Sequence, residues 1–212
     1  MDRQKVCFIL CANDEFLAEE CLLYIRQLKV PEGFAIDTKV VYGAKSMAAG
    51  YNKAMQESDA KYKVYLHQDV LLIYRKFLLE ILSLFISHPQ VGMLGAVGNA
   101  SLAPDGWAWS DGMHRRIGRL YVDLIYKKDD CIFSKIQGEY QEAVVLDGLL
   151  IATQYDLPWR EDLFHGWDFY DCSQSLEFWK AGYQVVVPHM DESWCLHDND
   201  ILNMDHYEKW RT

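Results

Sequence analysis

Residues 46–70 read SMAAGYNKAMQESDAKYKVYLHQDV, and the division of that stretch into elements decides the fold. Ser46 is an N-cap residue type, and the small residues after it predict a helix through SMAAGYNKAMQES. Tyr62–Leu66 is short, aromatic and apolar, which predicts a buried strand ending in His67-Gln68-Asp69. Upstream, Lys5–Cys11 is a near-continuous apolar run of strand length. Asp14 then caps a helix with an apolar face of Phe16, Leu17, Leu23, Tyr24 and Leu28. Pro31-Glu32-Gly33 closes that unit, and Ile36–Tyr42 reads as the next strand. Downstream, Lys76–Ser87 is a strongly apolar helix stopped by His88-Pro89, and Val91–Val97 is again strand-like. Strands alternating with helices predict an α/β fold, three layers deep, around a mostly parallel central sheet.

Periodicity is lost over residues 98–142, where Trp107, Trp109 and His114-Arg115-Arg116 fall. A stretch of that length is either an active-site lid or an added, smaller region of strands. Val144–Ala152 then predicts a strand, Gly166–Gly182 contains a helix with Gly182 at its C-terminal end, and Gln184–Val187 is a strand ended by Pro188. The tail beyond Asp198 reads as a short helix. With no internal linker or repeat, residues 1–212 are expected to form one domain.

Half of the 212 residues are hydrophobic and a quarter are charged, enough for a sizeable core. The formal net charge of -10 repels nucleic-acid phosphates and argues against such a partner. Any phosphate-bearing ligand would need a local cation, and a divalent metal supplies one. The six cysteines form no CxxC pair and read as reduced thiols. The opening MDRQKVCFIL is too short in its apolar part for a signal peptide. No stretch approaches the roughly 20 apolar residues that span a bilayer. The expectation is a cytoplasmic protein without a transmembrane segment, with a homo-oligomer left open.

Ligands of open α/β sheets bind beyond the carboxyl ends of the strands. The polar groups there are Asn13-Asp14-Glu15, Gly43-Ala44-Lys45-Ser46 and His67-Gln68-Asp69, with Trp194-Cys195-Leu196-His197-Asp198 following the last strand. His67 and Asp69, two residues apart, can both face one side and suit a divalent metal; the plain alternative is a solvated strand end. His197 gains meaning only if it meets Asp69. Asp168 and Asp171 stand at a helix start, where carboxylates cap helices, but where aromatic neighbours also suit a general base. Asp147 interrupts an apolar strand and needs a partner or a cleft. GxGxxG after the first strand, GxxxxGK[ST], GxSxG and HExxH are all missing, which removes the commonest dehydrogenase, kinase, hydrolase and metalloprotease readings.

Taken in order, SMAAGYNKAMQESDAKYKVYLHQDV, LDGLLIATQYDLPWREDLFHGWDFYDCSQSLEFWKAGYQVVVP and WCLHD resemble the family-two glycosyltransferases of the GT-A fold. The closer resemblance is to the branch named after a streptomycin-biosynthesis glycosyltransferase. It runs from about Lys5 to Asp198 and is weak over 98–142. It implies a Rossmann-like GT-A domain that moves a sugar from a nucleotide-diphosphate donor to a saccharide or other hydroxyl acceptor. It further implies inversion at the anomeric carbon, with Mn2+ or Mg2+ as cofactor, in surface polysaccharide or glycoconjugate biosynthesis. Such an enzyme would be cytoplasmic or peripheral to the inner membrane surface.

Carried onto this sequence, Asp69 and His197 are the implied metal ligands, with His67 at the first position of the DxD motif. Asp171 is the implied base, with Asp168 its competitor. Asn13, Glu15, Asn52, Gln68 and Asp69 fall near the nucleotide sugar, and Asp147, Gly148 and Trp167 near the acceptor. Two departures stand out: the family's uracil-pairing aspartate is replaced by Tyr42-Gly43-Ala44, and DxD reads HQD. A nucleotidyltransferase is the rival enzyme, but CANDEF lacks its glycine-rich signature and lysine. A non-catalytic nucleotide- or sugar-binding module is the rival outside enzymes.

Overall fold

Strand β1 (Asp2–Ala12) is the axis of the fold, with Val6 to Leu10 all fully buried. A computed structural model describes residues 1–104, 106, 112–124 and 127–198 of the chain. From β1 the chain enters α1 (Glu15–Arg26), where Asp14 caps as expected, its carboxylate accepting from the N–H groups of Phe16 and Leu17. It continues through β2 (Ala35–Tyr42) and α2 (Met47–Gln56), the latter capped by Ser46, whose hydroxyl accepts from Ala49 N–H at 3.2 Å. β3 (Ala60–His67), β4 (Val70–Leu71) and α3 (Phe77–Ser87) follow.

The expected strand 91–97 is two strands, β5 (Val91–Gly95) and β6 (Val97–Asn99), bent at Ala96. The irregular 98–142 stretch supplies β7 (Arg116–Leu124), β8 (Lys127–Ile132) and β9 (Tyr140–Glu142), so its described part is the added strand region. Trp107 and Trp109 lie outside the described residues, as does the tail beyond Asp198. The strand expected over Val144–Ala152 is also two, β10 (Val145–Leu146) and β11 (Leu150–Thr153), with Asp147-Gly148-Leu149 turning between them. Helix α4 (Tyr170–Lys180), β12 (Gln184–Pro188) and β13 (Leu196–Asp198) complete the described chain.

Among the described residues the strands form a seven-stranded sheet in the order β2-β1-β3-β11-β5-β12-β9 and a second one in the order β10-β6-β7-β13-β4, with β8 on β7. The large sheet is mixed rather than mostly parallel. β1 runs parallel to β2 and β3, and β12 to β5, but β11 is antiparallel to both its neighbours and β9 to β12. That reversal positions the site. Cys11 pairs with His67 and Ala12 with Tyr42, so β1, β2 and β3 end at one edge. Because β11 runs the other way, the turn that precedes it arrives at that same edge, and His67 N–H donates to Leu149 carbonyl at 3.1 Å.

One apolar cluster joins both sheets and their helices. Burying each large apolar side chain of this kind stabilises the fold by about 1.5–3 kcal/mol. Among the described residues Lys63 is the charged exception. Its side chain is fully buried in β3, and its ammonium donates to Ala60 carbonyl at 2.6 Å and pairs with Asp156 at 2.8 Å.

Candidate functional site

His67, Asp69 and His197 meet at the carboxyl edge of the large sheet. β3 delivers His67, the short turn into β4 holds Asp69, and β13 brings His197. β13 lies antiparallel to β4, opposing His197 to Val70, while Asp198 N–H donates to Asp69 carbonyl at 2.9 Å. A residue some 130 positions downstream is thereby fixed against the HQD segment by backbone pairing. His197 Nε2 lies 3.5 Å from Asp69 Oδ2, and His67 Nδ1 lies 4.0 Å from Asp69 Oδ1. Each residue can present one ligand atom within 4.8 Å of the other two.

Asp69 Oδ1 is buried and has no hydrogen-bond partner. A carboxylate oxygen in that state is costly unless something positive completes it. The donor set, two imidazoles and a carboxylate, fits a divalent cation. Burial opposes ionisation of Asp69, but the hydrogen bond and charge of His197 and the charge of His67 outweigh it, holding the carboxyl below its usual range. Burial lowers the His67 pKa. It does the same at His197, but there the bond to Asp69 prevails and the pKa rises.

Cys11, Ala12, Asn13, Met47, His67, Gln68, Asp69 and Trp167 line a cavity of about 230 Å³ beside this cluster. Gln68 shapes its rim. Its amide oxygen accepts from the N–H groups of Asn13 and Asp14, and its amide nitrogen donates to Asn13 Oδ1 at 2.6 Å. Met47 N–H donates to Gly166 carbonyl, tying the segment before α4 to the start of α2. A larger cavity of about 390 Å³ lies between α4 and the 160–164 loop, with Leu163, Phe164, Phe169 and Leu176 in its wall. Arg160, Glu177 and Lys180 also line it, but among the described residues the group of three possible metal ligands, His67, Asp69 and His197, lies at the smaller cavity.

Two further carboxylates adjoin the cluster. Asp171 sits in the first turn of α4, where its Oδ2 accepts from Gly148 N–H and its Oδ1 from Cys172 N–H, both at 2.8 Å. Burial, reinforced by the charge of Asp147, raises its pKa to about 7. Asp147 is half-buried; its Oδ1 accepts from Leu149 N–H at 3.0 Å, and its charge reaches His67, His197 and Asp171. The two halves are linked by Tyr170, whose hydroxyl is 2.5 Å from His67 Nε2. Phe169, just before it, holds a left-handed backbone at φ 62, an uncommon conformation for an aromatic residue.

The family model described as "Glycosyltransferase like family" matches residues 7–212. The chain belongs to that family. No curated protein matches it in sequence. Among solved structures it is similar to the mannosyltransferase PcManGT from Pyrobaculum calidifontis, in complex with GDP-Man and Mn2+. The TM-score is 0.60 and the identity 15%, over 99% of this chain and 61% of that one. It is also similar to TarS of S. aureus, at TM-score 0.57 and 10% identity over 96% of this chain and 38% of that one. Residues 1–349 of TarS with UDP give TM-score 0.55 and 11% identity over 98% of this chain and 63% of that one. The chain thus spans less than two thirds of each of these structures. The shared architecture is the α/β fold of GT-A glycosyltransferases, with the mixed sheet described above.

The family's sequence-predicted residues are not all brought together. Asn13, Gln68 and Asp69 line the cavity, and Trp167, expected near the acceptor, lines it too at 47% exposure. Asp147 and Gly148 stand beside Asp171 instead. Glu15 is exposed in the first turn of α1 and is not part of the cavity wall. Asn52, expected near the nucleotide, is buried and engaged elsewhere: its amide nitrogen donates to Trp159 carbonyl and Glu161, and its oxygen accepts from Trp159 N–H. Asp168 lies before the helix, whose N-cap is Phe169, and does not line the cavity. Arg115 is exposed, while Arg116 opens β7 with its guanidinium 5.8 Å from the Phe133 ring. Tyr170 is the residue that sequence reasoning missed. It stood inside the quoted segment WDFYD, but a tyrosine entering an apolar helix reads as core.

Proposed function

We propose that this chain transfers a sugar from a nucleotide-diphosphate donor to an acceptor hydroxyl, with inversion at the anomeric carbon. The observation that carries the reading is the meeting of His67, Asp69 and His197 with the Asp147–Asp171 pair at one sheet edge, bridged through Tyr170. The GDP-Man, Mn2+ and UDP named with the similar structures support the donor class. His67, Asp69 and His197 would hold a divalent cation, which supplies positive charge against the diphosphate as it departs. Asn13, Gln68 and Trp167 would then bound the donor, while Glu15 and Asn52 drop out of that role. Tyr42-Gly43-Ala44 offers no carboxylate for a uracil, so the base is read by other groups.

Asp171 receives the proton of the acceptor hydroxyl as that oxygen bonds to the anomeric carbon and the bond to the diphosphate oxygen breaks. A carboxyl titrating near neutrality suits that task, because it is ionised at working pH and still basic enough to accept a proton. Asp147 keeps the pKa of Asp171 high and faces the acceptor side. Such an enzyme would act as one domain, in a cytoplasmic setting that can include the inner membrane surface, in surface polysaccharide or glycoconjugate biosynthesis.

The test is release of nucleoside diphosphate from a panel of UDP- and GDP-sugars with Mn2+ and simple glycoside acceptors, on wild type and Asp171→Asn. Release that needs acceptor, metal and Asp171 supports transfer. Nucleotide binding without release under any pairing would return the chain to a non-catalytic binding module.

A further inference from the structure

The histidine in HQD changes the chemistry of the metal position, and the surrounding packing shows that it is not a loose substitution. His67 is held at three points: its backbone N–H on Leu149 carbonyl at 3.1 Å, its Nε2 at 2.5 Å from the Tyr170 hydroxyl, and its Nδ1 toward Asp69 at 4.0 Å. Tyr170 is itself fixed. It is buried, packs edge-on against Tyr51 with ring centroids 5.8 Å apart, and rests over Gly148, where a β-carbon would fall 2.1 Å from its hydroxyl oxygen. An imidazole engaged through Nε2 presents its other nitrogen inward, the arrangement in which a neighbouring hydroxyl orients a metal-binding histidine. Asp69 Oδ1, buried and without a hydrogen-bond partner, lies on that inward side.

We propose that His67, positioned by Tyr170, makes this a two-imidazole, one-carboxylate site selective for a first-row transition metal over Mg2+. Imidazole nitrogen suits the transition series from Mn2+ to Zn2+, whereas Mg2+ demands oxygen ligands and gives up its waters reluctantly. A DxD carboxylate at position 67 would add an oxygen, which Mg2+ prefers; a histidine adds a nitrogen, which Mg2+ binds poorly. The inference rests on the donor site of the reading above, but its test needs no turnover.

Mn2+ is titrated into the metal-free protein, alone and with GDP or UDP, and free Mn2+ is read by electron paramagnetic resonance. Mg2+ and Co2+ are then added as competitors. Co2+ is expected to displace Mn2+, while Mg2+ in about 100-fold excess leaves it bound. His67→Asp should let Mg2+ compete, and Tyr170→Phe should weaken Mn2+ binding by about 10- to 100-fold while the metal-free protein melts as a folded chain. Should Tyr170→Phe fail to fold, His67→Asp alone decides. The inference is overturned if Mg2+ displaces Mn2+ at parity in wild type, if no metal binds with or without nucleotide, or if His67→Asp leaves the competition unchanged. Selective Mn2+ binding by a protein that transfers no sugar would keep the inference and remove the transfer reading. Transfer supported equally by Mg2+ would do the reverse.

Discussion

Asp171 is held between opposing influences: burial and the Asp147 charge push its pKa to about 7, while N–H groups of Gly148 and Cys172 pull it down. In the proposed role of Asp171 as base the ionised form does the work, so with a pKa raised to about 7 activity should be lost as pH falls through that value. We expect kcat/KM to fall about tenfold per pH unit on that acidic limb. Asp147→Asn removes the like charge, so the limb should move to lower pH; a limb that stays put would detach it from Asp171. Asp171→Asn should lower kcat by about 10² to 10⁴ and leave the donor Kd nearly unchanged. Full activity in that variant, with loss in Asp168→Asn, would exchange the two roles. Gly148 works by having no side chain, since a β-carbon there would lie 2.1 Å from Tyr170 Oη and 2.6 Å from its ring. Gly148→Ala should therefore cost about 1–3 kcal/mol in urea denaturation, and a variant as stable as wild type would show that Tyr170 can move.

Helix α2 is seated on β1 and β2 through Gly50, where an added β-carbon would fall 2.3 Å from Cys11 Sγ and 2.9 Å from Ala44 Cβ. Cys11 and Met47 both line the cavity, so lifting the helix widens it. Gly50→Ala should cost about 1–3 kcal/mol, partly restored by a second change, Cys11→Ala; strict additivity of the two would refute the contact. The elements themselves were legible because Asp14 and Ser46 cap as their types predict and the apolar runs are long enough to be unambiguous. Direction was not. An apolar run such as Leu150–Thr153 has the same pattern whichever way it runs, and only its partners make β11 antiparallel. The same blindness hid the turn at Asp147, which looked like a polar residue inside one strand and is the point where the chain reaches the site. Asn52 is ambiguous for another reason: a buried amide can serve a ligand or a loop, and here Trp159 engages both its ends.

At the scale of the molecule, a chain of net charge -10 is a poor receptor for a diphosphate unless positive charge is gathered at one place. His67, Asp69 and His197 were individually legible as metal-binding types, but their meeting depends on β13 pairing with β4, a contact across the whole chain that local pattern does not encode. The linkage between cation and nucleotide is the global consequence. Neither should bind well alone, and together they should stabilise the fold by mass action. With GDP or UDP at about 100 times its Kd in the presence of Mn2+, the gain is about 2.7 kcal/mol. For a chain of this size that raises Tm by roughly 5–10 °C. Chelation should abolish the shift, and Asp69→Ala should remove it while melting normally without ligand. An equal shift from nucleotide without metal, or one retained in Asp69→Ala, would mean that the diphosphate is held by protein cations elsewhere and that the sheet-edge cluster is not its receptor.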